Sequence, residues 1–179
     1  MEQELSWLGL SKIDGITHKQ IETFLKLYKK PENIWKTKMN DLIHIGFTQK
    51  QCEQIKKTKY QHLENEMKFL NKLNIKFITI NNNLYPQQLK NIYDFPYWLY
   101  IRGNEKIIQK NNIAIIGSRN CSLYGSEVAR KLAYQISNKN RYVVSGMARG
   151  IDSHAHIGAI NANKQTIAVL RVRYKYNIS

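Results

Sequence analysis

Two short glycine-bearing stretches hold the residue types that can grip a phosphate. The first is Gly117-Ser118-Arg119, followed by Ser122, Tyr124 and Gly125. The second is Ser145-Gly146-Met147-Ala148-Arg149-Gly150-Ile151-Asp152. Each leaves a short apolar run and enters a helical pattern, and in open α/β sheets ligands sit at such strand ends, over helix N-termini. Glycine lets the backbone approach an anion, and helix amides and the dipole supply partial positive charge. Serine hydroxyls donate, and an arginine fork binds phosphate oxygens in pairs. The candidate phosphate-binding residues are therefore Gly117, Ser118, Arg119, Ser122, Gly125, Ser145, Gly146, Arg149 and Gly150. Asp152 is expected to cap the helix it opens, because an acid facing a phosphate repels it. Arg149 has two readings, a phosphate contact or a pair with Asp152.

The spacing excludes several chemistries. Gly117 and Gly125 stand too far apart for the G-x-G-x-x-G dinucleotide fingerprint, and no Gly-Lys-Ser/Thr makes a Walker A loop. His154 and His156 lie two apart, about 200° around a helix, without a cysteine or acid at ligand spacing. They read as packing histidines. Cys121 lies near the first turn with no base to pair with, so it takes no role. No catalytic set and no cofactor are expected.

The elements that must position the two turns follow from periodicity. The run 113–116 reads as a continuous apolar strand covered on both faces. A helix over 127–137 is expected to bury Val128, Leu132 and Ile136. A strand at 142–144, a helix over 152–160 and a third strand at 166–170 complete a strand–helix alternation. That alternation predicts an open, Rossmann-like parallel sheet, which sets the two turns side by side. Upstream, residues 3–60 read as short helices. Thr17 caps a helix over 18–28, Pro31 opens a short one, and Thr48 caps a helix holding Cys52 and Ile55. Such a bundle resembles a SAM-like or helix-hairpin-helix domain. A helix over 59–73 and a strand at 75–80 follow, and the aromatics Tyr97, Trp98 and Tyr100 read as a packed seam between domains. The expected division is a helical domain at 1–60 and a Rossmann-like domain at 61–179, with an aromatic connecting segment. The fold class is α/β.

Composition narrows the ligand. The chain of 179 residues carries a net charge of +15 and is 42% hydrophobic, enough to form a core and to attract polyanions. Residues 111–179 hold ten Lys or Arg against two acids, and residues 1–110 hold 18 against 11. The C-terminal part is therefore the more basic per residue. No apolar run spans a membrane, and the acidic start Met1-Glu2-Gln3-Glu4 is not a secretory signal. Two distant cysteines, Cys52 and Cys121, suit a reducing compartment, so a cytoplasmic location is expected.

The blocks Ile115-Ile116-Gly117-Ser118-Arg119, Ser122-x-Tyr124-Gly125, Ser145 to Asp152 with Ala155-His156, and Thr166-Ile167-Ala168-Val169-Leu170 resemble the DNA-processing protein A family, DprA, also called Smf. Tyr85-Pro86-x-x-Leu89 and Pro96-x-x-Leu99-Tyr100-x-Arg102-Gly103 fit the same pattern. The resemblance covers nearly the whole chain up to Leu170. It implies an extended Rossmann-like fold behind a SAM-like domain. It also implies cooperative binding of single-stranded DNA during natural transformation, help in loading the RecA recombinase, a homodimer, and no catalysis. Gly117, Ser118 and Arg119 carry over as part of the DNA pocket, with the 145–150 turn beside them. Residues 171–179 replace the family's continuation, a Gly-rich turn, a Tyr-Pro motif, and further strands and helices. They read as a frameshift product, a fragment or a degraded copy, so the sheet is expected to be incomplete and much of the dimer surface missing. Two other readings stand beside this one. One is a nucleotide-binding enzyme of the lysine-decarboxylase-like phosphoribohydrolase group, which needs a catalytic acid and a Gly-Gly-x-Gly-Thr loop not visible here. The other is a non-functional remnant.

Overall fold

The structure, a computed structural model, describes residues 2–170. The expected divergence at 171–179 lies outside the described residues. The chain divides into two compact units between Glu105 and Lys106. Residues 61–105, grouped by the sequence with the parallel sheet, share their core with the helices before them.

The first unit is built on capped helices: α1 (Glu2–Ser11), α2 (His18–Tyr28), α3 (Met39–Ile45), α4 (Gln49–Lys57) and α5 (Tyr60–Lys72). Pro31 opens a 3-10 turn, Pro31–Trp35. Thr17 and Thr48 do cap α2 and α4, and in each case the residue three positions on is a glutamine that returns the bond. These two capping boxes satisfy amides that a helix start otherwise leaves orphaned. The same glutamines also join the hairpins. Gln20 Nε2 donates to Gly46 O at 2.6 Å, and Gln51 Nε2 donates to Asp14 O at 3.2 Å. Leu8, Phe24, Leu42, Cys52 and Ile55 are buried beneath them.

An antiparallel pair completes this unit: β1 (Ile75–Thr79) and β2 (Trp98–Arg102), with Phe77 opposite Tyr100. β2 has no counterpart among the elements expected from periodicity, although Trp-Leu-Tyr-Ile has the aromatic and β-branched residues that strands favour. Tyr97 stacks on Trp7 of α1 with ring centroids 5.2 Å apart and is 7% exposed. The aromatic seam therefore lies inside one unit, against α1 and β1.

The second unit is α/β, as expected. Its strands β3 (Asn112–Ala114), β4 (Tyr142–Ser145) and β5 (Thr166–Ala168) form one parallel sheet in the order β3-β4-β5. Helices α6 (Leu123–Asn138) and α7 (Ile151–Asn161) are the crossovers. Ile113 pairs with Val143, and Val143 with Thr166, so those residues share a face. The buried core is Ile115, Ala133, Val143, Ala155 and Ala159, in which the helix residues are all alanines.

Two expectations fail here. The strand at 113–116 is not covered on both faces: Ile115 is buried, but Ala114 is exposed and Ile116 is 75% exposed. Helix α6 does not bury Val128 and Leu132, which are 43% and 46% exposed. It buries Ser126, Ala129, Ala133 and Ser137 instead. The reason is close approach. A methyl group on Gly158 of α7 would stand 2.2 Å from Arg130 O and 2.8 Å from Ala133 Cβ, so only a stripe of small residues lets these helices meet.

Candidate functional site

Parallel pairing puts the carboxyl ends of β3 and β4 next to each other, and the turns that leave them touch. The Ile151 amide, first in α7, donates to Ser118 O at 3.2 Å. Gly150 holds φ 84° and ψ −134°, and a Cβ there would lie 2.2 Å from Ser118 O and 2.7 Å from Arg119 O. Gly117 is constrained by contact alone, since a Cβ would meet the Ile151 side chain at 2.7 Å. The glycines of the two turns thus answer to each other. Sequence reasoning missed Ile151, and the signal was a β-branched residue facing two glycines, 117 and 125.

The second turn is fastened from within its own helix. Asp152 is 7% exposed and accepts from the Ala148 amide at 3.4 Å. It therefore caps the turn before α7 rather than the first helical amides. Gly146 allows this, because a Cβ there would stand 2.8 Å from Asp152 Oδ2. Ser153 Oγ donates to Ala148 O at 2.6 Å. Immediately before the doubly anchored Ala148, Met147 adopts φ 59°, the left-handed region a side chain rarely occupies. Ser145, expected to face a ligand, does not: it is 2% exposed, and its hydroxyl donates to Ile115 O at 2.7 Å. It fastens β4 to β3.

The first turn keeps more of its polar groups outward. Ser118 Oγ accepts from the Asn120 amide at 3.1 Å. Ser122 is the N-cap of α6 and accepts from the Gly125 amide at 3.1 Å. Its hydroxyl hydrogen remains free to donate. Helix α6 therefore starts at Leu123, four residues earlier than expected, because Ser122 supplies the cap. Gly125 has room for a Cβ, whose nearest neighbours lie at 3.4 Å or more. Arg119 and Arg149 are both exposed and, among the described residues, neither forms an ion pair. The Arg149–Asp152 pair, one of the two readings, is thus not formed. Arg130, by contrast, pairs with Glu127 on α6.

Beneath the second turn His156 is 6% exposed, and its Nδ1 lies 2.9 Å from Thr166 Oγ1. Thr166 itself donates to Val143 O, so the histidine nitrogen donates to the hydroxyl. Burial pushes the His156 pKa below its ordinary value, and the Asp152 carboxylate pulls the other way. The histidine is a packing residue, tied to β5 through Thr166. No group of His, Cys, Asp and Glu among the described residues is placed to hold a metal. No helix among them is long and apolar enough to cross a membrane.

Comparison with known proteins points one way. Residues 76–176 match the family described as DNA recombination-mediator protein A. Protein Smf of Borreliella burgdorferi is 31% identical over 108 residues, 60% of this chain and 34% of that protein. Protein Smf of Synechocystis is 29% identical over 94% of this chain and 44% of that protein. The crystal structure of DNA processing protein A from Streptococcus pneumoniae superposes with a TM-score of 0.72 at 27% identity, covering 98% of this chain and 60% of that one. The chain spans between a third and a half of the length of these curated relatives.

Proposed function

The chain belongs to the DNA recombination-mediator protein A family, and from that premise we propose that it binds single-stranded DNA in natural transformation and recombination. The observation that carries the reading is the clamped pair of turns, which leaves Arg119 and Arg149 exposed and, among the described residues, without ion pairs at the carboxyl ends of β3 and β4. A phosphate of the strand sits at the start of α6. Arg119 grips it through its guanidinium fork, and the Ser118 and Ser122 hydroxyls donate to it. Arg149 takes a neighbouring phosphate. Gly117 and Gly150 keep the two turns close enough for one strand to meet both arginines, Gly146 lets Asp152 fasten the second turn, and Ser145 holds β4 to β3 beneath. The surrounding charge assists, since residues 111–170 carry Arg119, Arg130, Lys131, Lys139, Arg141, Arg149 and Lys164 against Glu127 and Asp152 alone.

On this reading the protein works by holding DNA rather than by catalysis, needs no cofactor, and acts in the cytoplasm. It protects incoming strands and assists RecA loading. A homodimer of the family's kind belongs to the same proposal. The family resemblance supports these parts, and the free thiols of Cys52 and Cys121 suit a reducing compartment.

The test is an anisotropy titration with a labelled single-stranded oligonucleotide at several salt concentrations. Arg119→Ala is expected to weaken binding and to reduce the magnitude of the salt slope by about 0.7, the share of one phosphate contact on a single strand. Unchanged affinity and slope would refute the assignment of this turn.

A further inference from the structure

The start of α6 carries a second feature that phosphate binding does not use. Leu123 and Tyr124, the first two helical residues, are 88% and 79% exposed. Met147, on the facing turn, is 59% exposed and sits in the left-handed region next to Ala148, whose amide and carbonyl are bonded by Asp152 and Ser153. Other apolar side chains of this unit are exposed too, Ile116 and Ile160 among them, but Leu123, Tyr124 and Met147 are set apart by their place on the second turn and at the helix start that the first turn leads into. They are also continuous with the proposed phosphate site. Leu123 and Tyr124 carry their side chains on the same turn of backbone that Ser122 caps, with Arg119 three residues before that cap, and Arg149 stands two residues after Met147 on the facing turn. Whatever the arginines hold by its phosphates therefore has its next atoms beside these side chains. In a single strand those atoms are unpaired bases, whose faces are apolar and stack on aromatic rings. In a duplex they are turned inward and the rim would meet only sugar.

We propose that Leu123, Tyr124 and Met147 form an apolar rim that contacts the bases of a single strand, with the Tyr124 ring as the stacking platform. The proposal rests on the phosphate reading above. It gives that site its preference for single strands without preference for sequence, because every base presents a stacking face.

The experiment titrates the full chain with two labelled oligonucleotides of equal length, one of thymidines and one of abasic tetrahydrofuran residues. Both carry the same phosphates. Tyr124→Ala is expected to weaken binding of the base-bearing strand about fivefold or more and to leave the abasic strand unchanged. Tyr124→Phe, which keeps the ring, is expected to bind both like the parent. Met147→Ala is expected to repeat the selective loss to a smaller degree. Equal loss on both strands, or none on either, overturns the rim. So does a change in oligomeric state on Tyr124→Ala with DNA binding intact, because the patch would then be covered by another copy of the chain. Arg119→Ala serves as the separate control. It is expected to weaken both strands alike, and if it weakens neither, the phosphate site fails independently of the rim.

Discussion

Replacing Gly150 by alanine tests the contact on which the site depends. The residue sits at φ 84° and ψ −134°, a region essentially restricted to glycine. Backbone strain of this kind costs about 1–3 kcal/mol, and a conformation this far from the left-handed helical region lies at the upper end. The added methyl also has nowhere to go. It would stand 2.2 Å from Ser118 O and 2.7 Å from Arg119 O, both main-chain atoms that no rotamer change can move. Relief requires the two turns to part, which breaks the bond from Ile151 N to Ser118 O and forfeits about 1 kcal/mol more. The expected total is about 4 kcal/mol. Gly15→Ala supplies the reference. Gly15 also has a positive φ, 66°, but nothing lies within 4 Å of its would-be Cβ, so it reports backbone strain alone, about 1–2 kcal/mol. Urea unfolding gives the two costs, and native-state hydrogen exchange at the Ile151 amide locates the first. Exchange there should speed up by about a thousandfold in Gly150→Ala, or protection of the second unit should vanish altogether. If Gly150→Ala costs no more than Gly15→Ala and Ile151 stays protected, the two turns are not clamped as described.

Three further outcomes follow from the packing. Gly158→Ala should destabilise the second unit by about 3 kcal/mol in urea, because the methyl meets Arg130 O at 2.2 Å and forces α6 from α7; an unchanged midpoint would contradict that contact. Thr17→Ala and Thr48→Ala should each cost about 1 kcal/mol, measured the same way, since each threonine accepts from the third amide of its helix. His156, whose pKa burial lowers, gives a pH dependence with a definite sign. The unfolded chain takes up the proton first as the pH falls, so the histidine's contribution is complete above its ordinary value of 6.5 and declines as the pH drops through it. Urea midpoints of the parent should fall on acidification more steeply than those of His156→Gln, and parallel curves would count against a neutral buried imidazole.

What the sequence discloses and what it hides divide along a physical line. Capping boxes are local, so Thr17 with Gln20 and Thr48 with Gln51 are legible from spacing, and so is the strand–turn–helix order that makes the two turns neighbours. The buried face of α6 is not. Val128 and Leu132 form an apolar stripe at helical spacing, and hydropathy selects it. Close packing selects the adjacent stripe of Ala129, Ala133 and Ser137, because Gly158 brings α7 to backbone contact. The glycines of the turns are misread for a related reason. They look like openings for a ligand, yet Gly117 makes way for Ile151, Gly146 for Asp152, and Gly150 for the carbonyls of Ser118 and Arg119. The first amide of α7 is likewise spent on Ser118. Binding capacity is therefore unequal between two turns of similar composition. The second acts as a buttress that contributes Arg149, and the first, with the start of α6 and Arg119, keeps its donors free. A first turn held from behind by backbone contacts is ordered before any ligand arrives, so little entropy is lost in arranging it. On the proposed reading, that is the condition under which two arginine forks and two hydroxyls hold a flexible strand.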